Sequence, residues 1–194
     1  MQFKRMFSTD AYKGTSGYLR TQKNYEILRT VLYFAISLSL FIAGWVTTGS
    51  RENLLTIVAV LGCLPACKSL VEMFMFLRYK GCNEQDAEQI AAHTDGLTGL
   101  YDMVFTSYEK NYVIHHMTIC GNTLCGYTSD PKFAEQDFYK HIQDILKKDN
   151  YREVTVKIFH DLDKYLKRCE QLKELPAQPE LTGGICQTLK SVSL

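Results

Sequence analysis

The sequence predicts an α-helical transmembrane hairpin joined to a small cytosolic α+β domain, and three observations predict it. Two apolar runs, 28–48 and 54–77, are each long enough to cross a hydrocarbon core of about 30 Å as a helix rising about 1.5 Å per residue. No charged side chain lies between Arg29 and Arg51. From Cys82 onward, aromatic and β-branched runs alternate with amphipathic ones, the pattern of strands mixed with helices.

Charge divides the chain in the same place. Residues 1–80 hold ten Lys and Arg against four acids, and residues 81–194 hold twelve against seventeen, so a nominal +1 conceals a basic part and an acidic one. An acidic domain is a poor partner for phosphate backbones, which disfavours nucleic-acid binding. The seven cysteines, Cys63, Cys67, Cys82, Cys120, Cys125, Cys169 and Cys186, are odd in number and irregular in spacing, as expected of reduced thiols in a cytosolic domain.

Four regions follow. Residues 1–26 form a basic segment with Lys4, Arg5, Lys13, Arg20 and Lys23. Residues 27–80 form the hairpin, whose first apolar run begins too late and runs too long for a cleaved signal peptide. Arg29 before the first span, and Arg78 and Lys80 after the second, outweigh the loop around Arg51 and Glu52, so both termini are expected in the cytosol. Ala35, Ser39 and Ala43, and Ala59, Cys63 and Cys67 with Gly62 and Ala66 alongside, supply small side chains at the spacing that lets helices pack closely in lipid. Pro65 is expected to kink or locally unwind the second helix. Lys68 and Glu72, four apart, form an intramembrane polar pair that is either interfacial or part of an ion path.

Residues 81–175 are the expected domain, with 176–194 as a tail that is either loose or docked as a short element. Asn83 followed by Glu84 and Asp86 reads as a capped helix start. Leu100 to Glu109, Tyr112 to Cys120 and Leu124 to Ser129 read as a meander with Gly121-Asn122 at a turn. Asp130-Pro131 is expected to open a helix carrying Phe138, Ile142 and Leu146, followed by a strand around Val154 to Ile158. Leu162, Tyr165, Leu166, Cys169 and Leu172 share one face of a last helix.

The order helix, three strands, helix, strand, helix over residues 83–175 resembles the core of restriction-endonuclease-like folds. An active member would need an Asp and a Glu-x-Lys triplet on adjacent strands, the acids holding a divalent metal and the Lys assisting attack. No Glu-x-Lys occurs, and Asp102 with Glu109-Lys110 does not reproduce the spacing, so the resemblance implies the core without its catalytic motif.

The best constellation for chemistry is His116, Cys120 and Cys125, beside His115. A two-residue turn at Gly121-Asn122 sets Cys120 opposite Thr123 and Thr118 opposite Cys125, which puts the three ligands on one sheet face, a possible zinc set lacking its fourth member. Against it stands the plain reading of strand residues in a small sheet. His160 and Asp161 sit where a strand meets a helix, a place for catalytic groups but also for a capping Asp. No nucleotide loop, nucleophile elbow or His-Glu-x-x-His motif is present. The leading expectation is a membrane-anchored interaction or assembly module, binding a protein partner or a second copy and requiring no cofactor. The alternatives are a membrane-bound metal-dependent enzyme and an oligomeric channel or transporter subunit built around Pro65, Lys68 and Glu72.

Overall fold

The structure, a computed structural model, describes residues 12–50, 52–108, 110–176 and 178–194. It divides into two compact units, one covering residues 19–80 and the other residues 81–194 with the segment ending at Tyr18.

The first unit is built from two long apolar helices, α1 (Tyr18–Thr48) and α2 (Leu54–Arg78). Gly49 leaves α1 in the left-handed region at φ 64°, where a glycine carries no Cβ penalty. Asn53 then caps α2 by accepting the Thr56 amide at 2.9 Å, and its own amide donates to the Ser50 carbonyl at 2.9 Å. The buried positions recur every seven residues: Thr30, Ser37 and Gly44 on α1, and Ala59 and Ala66, then Ser69 and Phe76, on α2. Such a repeat keeps two helices in contact over many turns. Gly62 belongs to this seam, because a Cβ there would stand 2.8 Å from the Ser37 hydroxyl. The four-residue stripe Ala35, Ser39 and Ala43 instead faces outward, so the expected face of α1 is corrected by nearly half a turn, while on α2 Ala59 and Ala66 are buried as expected and Cys67 faces outward. α2 runs unbroken through Pro65, without local unwinding.

The second unit is a four-stranded mixed sheet in the order β1 (Thr98–Thr106), β2 (Asn111–Cys120), β3 (Thr123–Tyr127), β4 (Thr155–Phe159). The first three strands are antiparallel, as the meander requires, and β4 returns parallel to β3. The turn at Gly121-Asn122 has the expected register, Cys120 opposite Thr123 and Thr118 opposite Cys125, with Gly121 at φ 53°. α3 (Glu84–His93) precedes the sheet, α4 (Glu135–Lys148) makes the crossover to β4, and α5 (Leu162–Lys173) follows it. The helix order therefore agrees with the expected α+β arrangement.

Strand side chains alternate between two cores, and the alternation changes phase at Asp102 of β1 and His115 of β2, so that Leu100 and Met103, and Ile114 and Met117, share the first core. One face gathers Phe105, Tyr112 and Ile114 of the sheet against Phe138, Ile142 and Leu146 of α4. The other gathers Cys125 and Tyr127 against Ile90 of α3 and Tyr165, Cys169 and Leu172 of α5. Two local expectations change. Asn83 makes no side-chain cap, and α3 starts on its acidic first turn alone. Asp130 accepts the Lys132 amide at 2.9 Å and closes a turn, so α4 opens at Glu135. Of the two expectations for the final segment the docked one holds, as a full helix: α6 (Pro179–Val192) buries Ile185 and Leu189 in the first core. Gly184 permits that approach, since a Cβ there would stand 2.0 Å from the Tyr151 hydroxyl.

Candidate functional site

β2 and β3 present His116, Thr118, Cys120 and Cys125 toward α5, all buried. His116 Nδ1 and the Thr118 hydroxyl each lie 2.6 Å from the Tyr165 hydroxyl, and Thr118 lies 3.5 Å from Cys169 Sγ. Cys120 donates to the Leu172 carbonyl at 3.6 Å. Tyr101 covers the imidazole with ring centroids 4.2 Å apart, and Gly99 lies against its other nitrogen, where a Cβ would come within 2.6 Å. Burial drives the His116 imidazole down to about 3 and the Cys125 thiol up to about 11, so both are neutral at ordinary pH.

These contacts correct the zinc expectation. The shared face is as expected, but His116 and Cys120 lie four steps apart along the strand, about 13 Å, far beyond what ligands about 2 Å from one ion can span. Among the described residues no group of three or more His, Cys, Asp or Glu could hold a metal ion. The set is a hydrogen-bonded seam that fastens α5 to the sheet.

A second polar group lies where the chain enters the sheet unit. Asp102, 1% exposed and in the middle of β1, adopts the left-handed conformation at φ 55° and accepts the Cys82 amide at 2.7 Å. Gly81 gives it room, because a Cβ there would stand 3.0 Å from both carboxylate oxygens. Such a backbone costs on the order of 1–3 kcal/mol and persists only where the surroundings fix it. Tyr127 donates to Asp86 at 3.3 Å, and His115 Nε2 lies 2.8 Å from the Ser129 hydroxyl. Burial, with Asp102 and Asp86 nearby, raises the Cys82 thiol to about 12, which keeps it a thiol and not a nucleophilic thiolate. Burial also lowers His115 against the pull of Asp102, Asp86 and Asp130. This group was missed in the sequence, where an Asp inside a strand pattern carries no sign of its backbone conformation.

The remaining candidates resolve simply. Asp161 caps α5, accepting the amides of Asp163 at 3.0 Å and Lys164 at 3.4 Å, and His160 pairs with Glu135 at 3.0 Å. Lys110 pairs with Asp137 at 3.2 Å, while Glu109 lies outside the described residues. In the helical unit, Lys68 is 3.8 Å from Glu72 and 81% exposed, so it is the lesser partner. Glu72 is held more closely by Arg29 of α1, which also binds Glu26 and donates through Nε to Ser69 at 3.2 Å. Thr30 completes the cluster, 2.9 Å from Ser69. A cleft of about 360 Å³ opens where Cys120, Lys173, Gln178 and Thr182 meet.

No protein-family model, curated protein or solved structure matches the chain. The resemblance to restriction-endonuclease-like cores therefore stays at the level of element order.

Proposed function

We propose that the protein is a membrane-anchored interaction or assembly module, in which α1 and α2 span a bilayer and the sheet unit meets a protein partner or a second copy on the cytosolic side. The observation that carries the reading is the outward apolar surface of the helices. In their most apolar stretches only 22% and 17% is buried, whereas a helix at the core of a soluble protein is mostly buried. Val31, Leu38, Val46, Ile57, Val60, Leu64 and Phe74 all point away from the helix pair. Lipid satisfies such a surface, and every backbone group inside a helix is already bonded. Arg20, Lys23 and Arg29 before the first span and Arg78 and Lys80 after the second support cytosolic termini.

The Arg29, Glu26 and Glu72 cluster ties the two helices at one end of their seam, which suits an anchor that holds its shape. Cross-linking of the full chain in native membranes and in mild detergent tests the interaction reading. A defined cross-linked species larger than the monomer is expected. A chain that stays monomeric in both contradicts it.

A further inference from the structure

We infer that the open edge of β4 is a strand-addition site for an extended segment of a partner protein in which apolar and acidic residues alternate. The inference rests on the interaction-module reading and gives it a surface and a partner chemistry.

The two edges of the sheet differ. Along β1, Tyr101 donates to the Gly14 carbonyl and Leu194 donates to the Val104 carbonyl, both at 2.9 Å, so short segments from the two ends of the unit close that edge. Beyond β4 no strand follows among the described residues. The Thr155 amide donates to Asn122 at 2.8 Å and the Phe159 carbonyl accepts from Thr128 at 3.0 Å, so these residues turn their main-chain groups toward β3. Val156 and Ile158, out of phase by one residue, turn an N–H and a C=O each toward the open side.

Those same two residues raise half-buried side chains on the α4 face, packed against the first core. Beside them runs a groove of about 310 Å³, bounded by Gln136, Tyr139 and Lys140 of α4. A strand laid along β4 would drop every second side chain into this groove and turn the others to the opposite face, where Lys157 lies over the Phe159 ring with 5.2 Å between ammonium and centroid. Apolar residues suit the first set and acids the second. Both sides of the edge carry positive charge: Lys157 stands on the face that takes the acids and Lys140 at the rim of the groove, while Glu135, the groove's one acid, is engaged by His160.

A second copy fits less well. Two β4 strands paired antiparallel about their centres would set Lys157 directly opposite Lys157, a destabilising like-charge pair, and a lysine on an edge strand is a common guard against self-pairing. Strand addition draws affinity from main-chain hydrogen bonds and specificity from alternate side-chain pockets, and both are present here.

The test uses the full chain in mild detergent and a peptide of about six residues alternating valine and glutamate, an ordinary strand length. Its counterpart alternates valine and lysine. The glutamate peptide is expected to bind at least about tenfold more tightly, and the Val156 and Ile158 amides to exchange about tenfold more slowly when it is bound. Val156→Pro deletes one outward N–H and spares the bonds to β3, so it should weaken binding with an unchanged circular dichroism spectrum. Reversing charge with Lys140→Glu and Lys157→Glu together should invert the peptide preference. Equal binding of the two peptides, or protection elsewhere than β4, overturns the inference. So does concentration-dependent protection of Val156 and Ile158 without peptide, because a second copy would then occupy the edge. Cross-linked partners that persist undiminished in Val156→Pro overturn this site while leaving the interaction-module reading in place.

Discussion

Acid should loosen the sheet unit through His116. In the folded chain its imidazole is buried beneath Tyr101 and Tyr165 and protonates only near pH 3, whereas in the unfolded chain it protonates near 6.5. Between those values the unfolded state binds a proton that the folded state refuses, so stability falls as pH falls. The contribution is fully present above pH 6.5. It is lost at up to about 1.4 kcal/mol per pH unit below, in total on the order of 5 kcal/mol, comparable to the whole stability of a small domain. Hydrogen exchange of the β2 amides in the full chain, followed from pH 7 to pH 4, reads this directly. Other groups share the acid range, so the comparison is with His116→Leu, which abolishes the titration at the cost of the Tyr165 contact. The wild-type protection should decline more steeply than the variant's by close to one proton's worth of slope. Parallel declines would refute the reasoning and imply that His116 is accessible to protons in the fold.

Three further outcomes follow from the same contacts. Glu72→Gln should destabilise the helix pair by about 1–3 kcal/mol, since it weakens a charge-assisted bond to Arg29, whereas Lys68→Gln should cost under about 0.5 kcal/mol; thermal unfolding in micelles ranks the two. Asp102→Ala keeps the strained φ and removes the acceptor of the Cys82 amide, so a loss of about 2–3 kcal/mol is expected, with Asp102→Gly recovering part of it by relieving the backbone; urea unfolding separates them. Cys82 should react with maleimide at pH 8 on the order of 10³ times more slowly than an unperturbed thiol, and Asp102→Asn should speed it.

Much of the fold was legible because the governing forces are local or periodic. The Gly121-Asn122 turn selects its register through backbone geometry alone, and that register correctly placed His116, Cys120 and Cys125 on one face. What sequence could not show was distance along the strand combined with competing partners: Tyr165 and Leu172 come from a helix more than forty residues away and take up the would-be ligands. The helix pair was misread for a related reason. Both a four-residue and a seven-residue pattern of small side chains run along α1, and only the tertiary contact with Gly62 selects the seam through Ser37. The sequence leaves α6 open between a loose tail and a docked element because Gly183 and Gly184 interrupt its propensity, although Leu181, Ile185 and Leu189 repeat every four residues. Arg29 as the main partner of Glu72 is likewise a contact between helices, invisible to spacing within α2.

The placement of α1 and α2 in a bilayer is tested most directly by alkaline extraction of membranes from cells making the full chain. The protein should remain in the pellet with the lipid and require detergent to dissolve. Recovery in the supernatant as a compact, detergent-free species would show that another protein surface, and not lipid, covers those helices.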